Sequence, residues 1–271
     1  MSPIQQLGQV FDAVQKAKAG APAFCTNFFP GESKLQGWID HGELSGEVHD
    51  GAAFFLRKDR DFGHFYFCAA DMTALQQAIT AWSGLKSGRM VTDLIGNESA
   101  VNRLLPALEP AGFRRYTRLQ RMARMGRPET GSGGVPVDFA GKADSRAVLG
   151  LIENSFDRYG EQLPMPYEIE SAIENRQVLA ARRAGALAGL LFFETQGLAS
   201  AVRFWAVAEK FRDCRVGSTL MQHYFQTHNA VRRFKLWVNL SNENAISKYR
   251  HYGYAPDGLV DQVLANEMID A

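Results

Sequence analysis

Apolar positions along the chain follow two spacings in alternation, one of three to four residues and one of two, which predict helices and strands respectively. Residues 1–20 show the helical spacing, and segments with the helical and the strand spacing are intermixed along the rest of the chain. Further helices are predicted at 72–82, 98–109, 145–156, 166–175, 217–228 and 243–252. Strands are predicted at 52–57, 64–68, 89–94, 113–125, 178–182, 186–194, 200–207, 235–240 and 262–268. This order predicts the α/β (α+β) class, with mixed sheets covered by helices on both faces.

A segment rich in glycine and proline interrupts this pattern near the middle. Residues 127–136 (RPETGSGGVP) offer almost no apolar side chain for a core and cannot hold a regular element. The chain has 271 residues, a length that suits two domains. We therefore predict a first domain at 1–126, a linker at 127–136 and a second domain at 137–271.

Two short segments suggest that the domains share one architecture. The sequence NESAV at 97–101 is followed by Gly-Phe at 112–113, and NENAI at 242–246 is followed by Gly-Tyr at 253–254. In both places a predicted strand precedes the asparagine and an aromatic residue follows the glycine. The similarity predicts an internal duplication.

The overall composition narrows the class of protein. Hydrophobic residues make up 46% and charged residues 22%, as in ordinary globular domains, and the formal net charge is +1. We therefore expect no nucleic-acid or membrane partner, since the charges are mixed and no apolar run approaches the ~18 residues that span a bilayer. Cys25, Cys68 and Cys214 are far apart, and His41 and His49 match no metal-ligand spacing with His64. We expect a cytoplasmic protein without a metal site and with these histidines on the surface.

The segment from 203 to 220 carries the clearest chemistry. An apolar strand ends in a short polar turn, and a helix is predicted to open at Gly217. The start of a helix presents unpaired backbone N–H groups and the positive end of the helix dipole, which together bind phosphate groups. Arg212 and Arg215 add charged donors. These residues alone fit a phosphate site and a plain strand–turn–helix corner equally well.

A second segment lies on the next predicted strand and helix. Asn242 suits the first cap position of the helix, and Ala245 and Tyr249 then share one helix face. The small side chain of Ala245 allows a ligand to approach closely, and the Tyr249 hydroxyl points into the same cleft. Gly253 is the predicted left-handed cap that ends the helix.

Together the two segments resemble the GCN5-related N-acetyltransferase (GNAT) superfamily. That superfamily has a loop Arg/Gln-x-x-Gly-x-Gly/Ala after its fourth strand, and later the pattern Asn-x-x-Ala-x-x-x-Tyr with an aromatic-Gly-Phe ending. Residues 212–217 resemble the loop, and residues 242–254 resemble the later pattern, so that the resemblance extends over roughly 137–268. Arg215 replaces the first loop glycine, and we expect its backbone N–H to remain available if its conformation is right-handed.

The resemblance implies an acyl-CoA N-acyltransferase fold, acetyl-CoA as the co-substrate, and a primary amine of a small molecule or peptide as the acceptor. It implies that the backbone of the strand ending at Val207 and the loop bind the coenzyme. The implied coenzyme-binding residues are Trp205, Ala206, Val207, Arg212, Asp213, Cys214, Arg215, Val216, Gly217, Ser218 and Asn242. Oligomeric state is left open, with a homodimer as one candidate.

The mechanism that the resemblance implies needs an acid and a base. Tyr249 is placed to give a proton to the departing thiolate, and Glu194, at the end of an apolar strand, is the predicted base. Other acids near the expected acceptor region are Glu153, Asp157 and Glu161. For each of these acids, Glu194 included, a solvated surface position is the more frequent case.

The first domain is expected to be a degenerate copy without catalysis. Only residues 69–71 connect its strand at 64–68 to the next helix, which is too short for a phosphate-binding loop. Leu104 stands where the second copy has Tyr249.

Two other functions fit the same features. A coenzyme- or metabolite-binding sensor without turnover fits Arg215 and the degenerate first domain. An aminoacyl-tRNA-dependent peptidyltransferase has a similar tandem fold, but such proteins usually carry a long helical insertion and a more basic surface. The sequence does not identify the acceptor, because members of one fold acylate many amines.

Overall fold

The computed structural model of the protein describes residues 1–21, 23–82, 88–126 and 134–266. The chain forms two compact units, which are Met1–Leu119 together with the chain from Gly258 onward, and Gln120–Asp257. Each unit contains a mixed sheet with helices on both faces, which confirms the predicted class.

The first unit places its strands in the order β1-β3-β4-β5-β6-β13-β7, and β2 pairs with β5. Its helices are α1 (Leu7–Lys18), α2 (Glu32–Asp40), α3 (Met72–Ala81) and α4 (Glu98–Leu108). Its strands are β1 (Ser2–Pro3), β2 (Cys25–Thr26), β3 (Leu44–His49), β4 (Ala52–Asp59), β5 (Phe62–Ala69), β6 (Met90–Gly96), most of β7 (Arg114–Met125) and most of β13 (Ala255–Ala265).

Alternation along the strands divides the apolar side chains of this unit between two cores. Phe54 packs with α3 and α4, and the next residue, Phe55, packs with α1 and α2 on the opposite face. Successive strand residues point to opposite faces, so a continuous apolar run serves a sheet that is covered on both sides.

The second unit contains the end of β7 and then β12-β11-β10-β9-β8. Its strands are β8 (Val137–Phe139), β9 (Val178–Arg183), β10 (Ala186–Gln196), β11 (Ala199–Val207) and β12 (Arg233–Asn239). Its helices are α5 (Ser145–Glu153), α6 (Pro166–Glu174), α7 (Val216–Thr227) and α8 (Glu243–His251). One core lies between the sheet and α5 and α6, and another lies between the sheet and α7 and α8.

The last strand differs from the prediction. Strand β13 begins at Ala255, and its residues from Val260 to Ala265 pair antiparallel with Gly96 to Val91 of β6. The end of the chain therefore groups with the first unit and not with the predicted domain at 137–271. Of the predicted linker, residues 127–133 lie outside the described residues, as do residues 267 and 268 of the predicted final strand.

Helix α2 and strand β3, near the N-terminus, were not predicted, because glycine or proline residues within or beside them disfavour regular elements. The two-residue strands β1 and β2 were not predicted either. Helix α2 begins after Pro30 and Gly31 and contains Gly37, all of which disfavour a helix by propensity, yet its Trp38 is 2% exposed in the core. Strand β3 contains Gly46, where a Cβ atom would lie 2.8 Å from Cδ1 of Ile4. A side chain at this position of β3 would therefore displace the end of the Ile4 side chain.

The expectation that all three histidines lie on the surface was wrong for His64. Its side chain is 0% exposed, and its Nε2 lies 3.2 Å from Oδ2 of Asp59, which is also fully buried. Burial opposes ionisation of Asp59, but the bond and charge of His64 and the charge of Arg57 hold the pKa of the Asp59 carboxyl below its ordinary value.

Candidate active site

The second unit opens between two neighbouring parallel strands. Strands β11 and β12 pair only from Ala199 with Arg233 to Val202 with Leu236. Strand β11 continues as far as Val207 and stays paired with β10 on its other side. Within the described residues, the groups of 203–207 that face β12 therefore have no strand partner, and an extended ligand can pair with them.

The end of β11 leads directly into the predicted loop. A 3-10 turn at Glu209–Phe211 is followed by Arg212 in an extended conformation, and α7 begins at Val216, one residue before the predicted start. Backbone N–H groups at the start of this helix have no acceptor among the described residues. They belong to Arg215, Val216, Gly217 and Ser218.

The side chains around this turn fix the start of the helix. The hydroxyls of Ser218 and Thr219 both donate to the backbone oxygen of Arg215, each at 2.9 Å. The unpaired N–H groups are thus held in one orientation and combine with the positive end of the helix dipole. This arrangement is suited to an anion such as a phosphate.

Gly217 brings the helix close to the strand. A Cβ atom here would lie 3.2 Å from Cζ2 of Trp205 and 3.4 Å from Cγ2 of Val207. A larger side chain would have to displace the indole ring or project into the opening. Glycine at this position therefore allows the helix to lie close to the strand; it does not provide an unusual backbone angle.

Arg215 does not adopt the right-handed conformation that was the condition for an available backbone N–H. Its φ is 60° and its ψ is 11°, which lies in the left-handed region, and Asp213 has a φ of 64°. Left-handed conformations favour glycine and cost an ordinary residue about 1–2 kcal/mol. The backbone of Arg215 therefore has the conformation that suits the glycine of the similar motif.

The α8 segment places aromatic residues against the same strand. The ring of Tyr249 lies 5.6 Å from that of Trp205, and the ring of Tyr252 lies 6.0 Å from it. The Trp205 Nε1–H group is buried and has no acceptor among the described residues. A buried donor without an acceptor costs free energy, and a bound ligand could remove that cost.

Asn242 and Gly253 lie at the ends of α8 as predicted. Oδ1 of Asn242 accepts a hydrogen bond from the backbone N–H of Ala245 at 3.0 Å, which confirms its capping position. Gly253 has a φ of 77° and ends the helix in the left-handed region. The cap at Asn242 and the left-handed turn at Gly253 therefore define the two ends of the helix that carries Tyr249.

The surroundings of Tyr249 keep its hydroxyl protonated. Burial, and secondarily the negative charge of Glu161, raises the pKa of Tyr249 above its ordinary value. Among the described residues the hydroxyl has no hydrogen-bond partner, so its proton is available to a ligand.

Two carboxylates differ sharply in their environment. Glu194, the base predicted from sequence, lies on β10 with its side chain 49% exposed and its Oε1 3.9 Å from Nε of Arg203. Glu161 lies in the connection between α5 and α6, where burial and then the charge of Asp157 raise its pKa to about 7. Sequence reasoning named Glu161 only as one acid among several, because its burial depends on the tertiary fold.

The first unit repeats the scheme without the loop. Asn97 caps α4 as Asn242 caps α8, with its Oδ1 accepting from the Ala100 N–H at 2.9 Å. The start of α3, however, is already capped by Oδ1 of Asp71, which accepts from the Ala74 N–H at 2.8 Å. Leu104 is buried in α4, as expected for a packing residue. Because a negatively charged side chain caps its start, α3 is unsuited to bind a phosphate.

In the first unit, the side chain of Asn27 bridges the opening between the corresponding strands. Strands β5 and β6 pair only at Gly63 with Met90 and at His64 with Val91. Beyond these pairs, Nδ2 of Asn27 donates to the backbone oxygens of Phe65 on β5 and Asp93 on β6, at 3.2 and 3.1 Å. Its Oδ1 accepts from the Phe67 N–H at 2.7 Å. The side-chain amide of Asn27 thus pairs with backbone groups whose counterparts in the second unit have no strand partner.

These features agree with a comparison of the sequence with known families. Residues 148–254 match the family described as Acetyltransferase (GNAT) family. This part of the chain is similar to a GNAT domain. It extends from α5 to the aromatic residue after α8 and contains both the opening and the loop.

Solved GNAT structures resemble the whole chain in fold. A GCN5-related N-acetyltransferase from Sphaerobacter thermophilus has a TM-score of 0.60 at 16% identity, covering 95% of this chain and 90% of its own. One from Kribbella flavida has a TM-score of 0.59 at 16% identity, covering 93% of this chain and 95% of its own. A tandem GNAT protein from the clavulanic acid biosynthesis pathway has a TM-score of 0.60 at 12% identity and covers 99% of both chains. These likenesses concern the fold and confirm the predicted tandem GNAT architecture.

A comparison with curated protein sequences finds no significant match. Across the described ranges, no group of three or more His, Cys, Asp or Glu side chains is placed to hold a metal ion. In the same ranges no helix is both long enough and apolar enough to cross a membrane.

Proposed function

We propose that the protein is an N-acetyltransferase that moves an acetyl group from acetyl-CoA to a primary amine of a small molecule or peptide. The observation that carries the proposal is the opening between β11 and β12, which leads straight to the unpaired N–H groups at the start of α7. An extended arm followed by a pyrophosphate is the shape that such a site accommodates.

The residues of the second unit fit this coenzyme. The backbone of Trp205, Ala206 and Val207 would pair with the pantetheine arm, and residues 212–218 would hold the pyrophosphate. The close approach at Gly217 and the unpartnered indole N–H of Trp205 support this fit. Asn242 would contribute indirectly by fixing the start of α8, since its side-chain oxygen already caps that helix.

Tyr249 is the proposed acid. The thioester supplies an activated acetyl group, and the sulfur that leaves must gain a proton. A phenol whose pKa is raised stays protonated at neutral pH and can give that proton to the sulfur. The acceptor is proposed to be a small amine or peptide, and no nucleic-acid or membrane partner is proposed.

The test measures binding and turnover on the full-length protein. Calorimetry would follow acetyl-CoA binding, and release of free thiol would follow acetylation across a panel of amino acids, polyamines, aminoglycosides and short peptides. Thiol release that depends on one of these amines, with a matching mass increase of the amine, supports the proposal. Binding without amine-dependent turnover would instead identify a sensor, and absence of binding would refute both functions.

A further inference from the structure

The connection between α5 and α6 is fixed against the strand that borders the opening. Its Phe156 packs edge-on against Phe204 of β11, with ring centroids 5.0 Å apart. Tyr159 is 9% exposed and Leu163 is 2% exposed, so buried side chains flank Glu161 on both sides. Phe204 precedes Trp205, whose ring meets Tyr249 from the opposite face of the sheet.

The local backbone sets the position of Glu161 within this connection. Its N–H donates to the backbone oxygen of Asp157 at 3.0 Å, and the following residue, Gln162, has a φ of 37°. Oδ1 of Asp157 accepts from the Tyr159 N–H at 3.0 Å. Two hydrogen bonds and two buried anchors thus hold the turn, and the Glu161 carboxylate is half-buried.

The charges around Glu161 link it to the proposed acid. Its charge acts on Tyr249, which lies on α8, and the charge of Asp157 acts on Glu161 in turn. The cation of the same connection, Arg158, lies over the Tyr159 ring, 4.5 Å from its centroid. Glu161 and Tyr249 therefore lie within electrostatic range of each other, although the segments that carry them pack on opposite faces of the sheet.

We propose that Glu161, and not Glu194, is the base that takes the proton from the acceptor amine, an inference that rests on the proposed function. The lone pair of the neutral amine forms the C–N bond while the C–S bond breaks. Glu161 accepts the surplus proton of the nitrogen, and Tyr249 gives its proton to the sulfur. The proton on Glu161 then passes to the Tyr249 phenolate. The products are an N-acetylated amine and a free thiol, and both side chains return to their starting states.

Burial supports this role for Glu161. A base works best when its pKa lies near the working pH, and the pKa of Glu161 is raised to about 7. The Glu194 side chain is 49% exposed and is paired with Arg203.

The experiment compares three glutamine variants of the full-length protein, E161Q, E194Q and E174Q, with an amine found to be acetylated by the wild type. Glu174 is an exposed glutamate at the end of α6 and serves as the control. We expect E161Q to lower kcat/KM by about 10²–10⁴-fold and to remove the decline in rate on the acid side of the pH profile. We expect E174Q to keep the wild-type profile and acetyl-CoA affinity to be unchanged in E161Q.

A second variant tests the environment of the base. Burial is the main cause of the raised pKa of Glu161, and the charge of Asp157 adds to it. D157N removes that added charge, so the acid-side decline should move to lower pH. A purely structural role of the connection would not produce this shift. If E161Q keeps the wild-type pH profile, or if E194Q removes the acid-side decline, the assignment to Glu161 is refuted. If the wild type binds acetyl-CoA but acetylates no amine of the panel, the proposed function itself fails.

Discussion

Replacement of Arg215 by glycine should stabilise the protein. The side chain of Arg215 is exposed and makes no hydrogen bond or ion pair with another described residue, so its removal costs no contact of that kind. Its φ of 60° costs about 1–2 kcal/mol for a residue with a Cβ atom. Glycine removes this cost but loses roughly 0.5–1 kcal/mol through its greater freedom in the unfolded chain.

The difference spans about 0–1.5 kcal/mol, and the midpoints of the two ranges leave a net gain of ~0.75 kcal/mol for R215G. In a unit of this size, such a gain raises Tm by roughly 2–4 °C. Thermal unfolding followed by circular dichroism is sufficient to resolve it. Coenzyme should be absent from the sample, because a ligand would add its own binding free energy to the measured stability.

Arg212 provides a matched control three residues earlier. It is likewise an exposed arginine without a hydrogen bond or ion pair to another described residue, but its φ is −59°. R212G releases no strain and should lower stability through the freedom of glycine in the unfolded chain. If R215G lowers Tm as much as R212G does, Arg215 does not occupy the left-handed conformation and the argument about the loop is wrong.

Two further substitutions test other parts of the account. Y249F should lower kcat at least ~10-fold with little change in acetyl-CoA affinity, because it removes only the proton donor, whereas L104M in the first unit should leave turnover unchanged. D261N should raise Tm more at pH 8 than at pH 5. Burial, and then the charge of Asp93, raises the pKa of Asp261 well above its ordinary value, so the folded wild type loses stability as pH rises from ~4, whereas asparagine does not. A Tm difference that is independent of pH would contradict the D261N prediction, and an unchanged kcat in Y249F, with chemistry rate-limiting, would remove Tyr249 from catalysis.

The sequence was sufficient to predict the loop because its signal is local. A strand, a polar turn and a helix opening at Gly217 follow one another within a few residues, and the Asn242–Tyr249 spacing lies on one helix. The caps at Asn97 and Asn242 also agree with the predicted duplication. Patterns of this kind depend on residues that are close in sequence and not on distant parts of the chain.

Features that depend on distant residues escaped prediction. The alternation along β13 specifies which of its faces is buried but does not identify β6 as its partner. Asn27 lies 38 residues before Phe65, and nothing near it in sequence indicates that it bridges two strands. The raised pKa of Glu161 arises from burial and from Asp157 in a folded turn, which composition does not reveal.

The strand β13 also decides how the two units should be tested. A fragment ending at residue 126 lacks the residues that pair with β6, so separated halves do not represent the units in the protein. Point variants of the full-length chain avoid this difficulty. Gly217 is the most informative position, since its replacement affects the start of α7 and leaves the first unit unchanged.

Calorimetric titration of the full-length protein with acetyl-CoA, compared between wild type, G217A and G217E, tests the central claim most directly. We predict one equivalent per chain for the wild type, since in the first unit Asn27 bridges the corresponding strands and Asp71 caps the helix. G217A requires Trp205 to shift by only a few tenths of an ångström and should still bind, whereas G217E places a negative charge at the pyrophosphate position and should abolish binding without unfolding the protein. Two equivalents in the wild type, or full affinity in a folded G217E variant, would contradict the account.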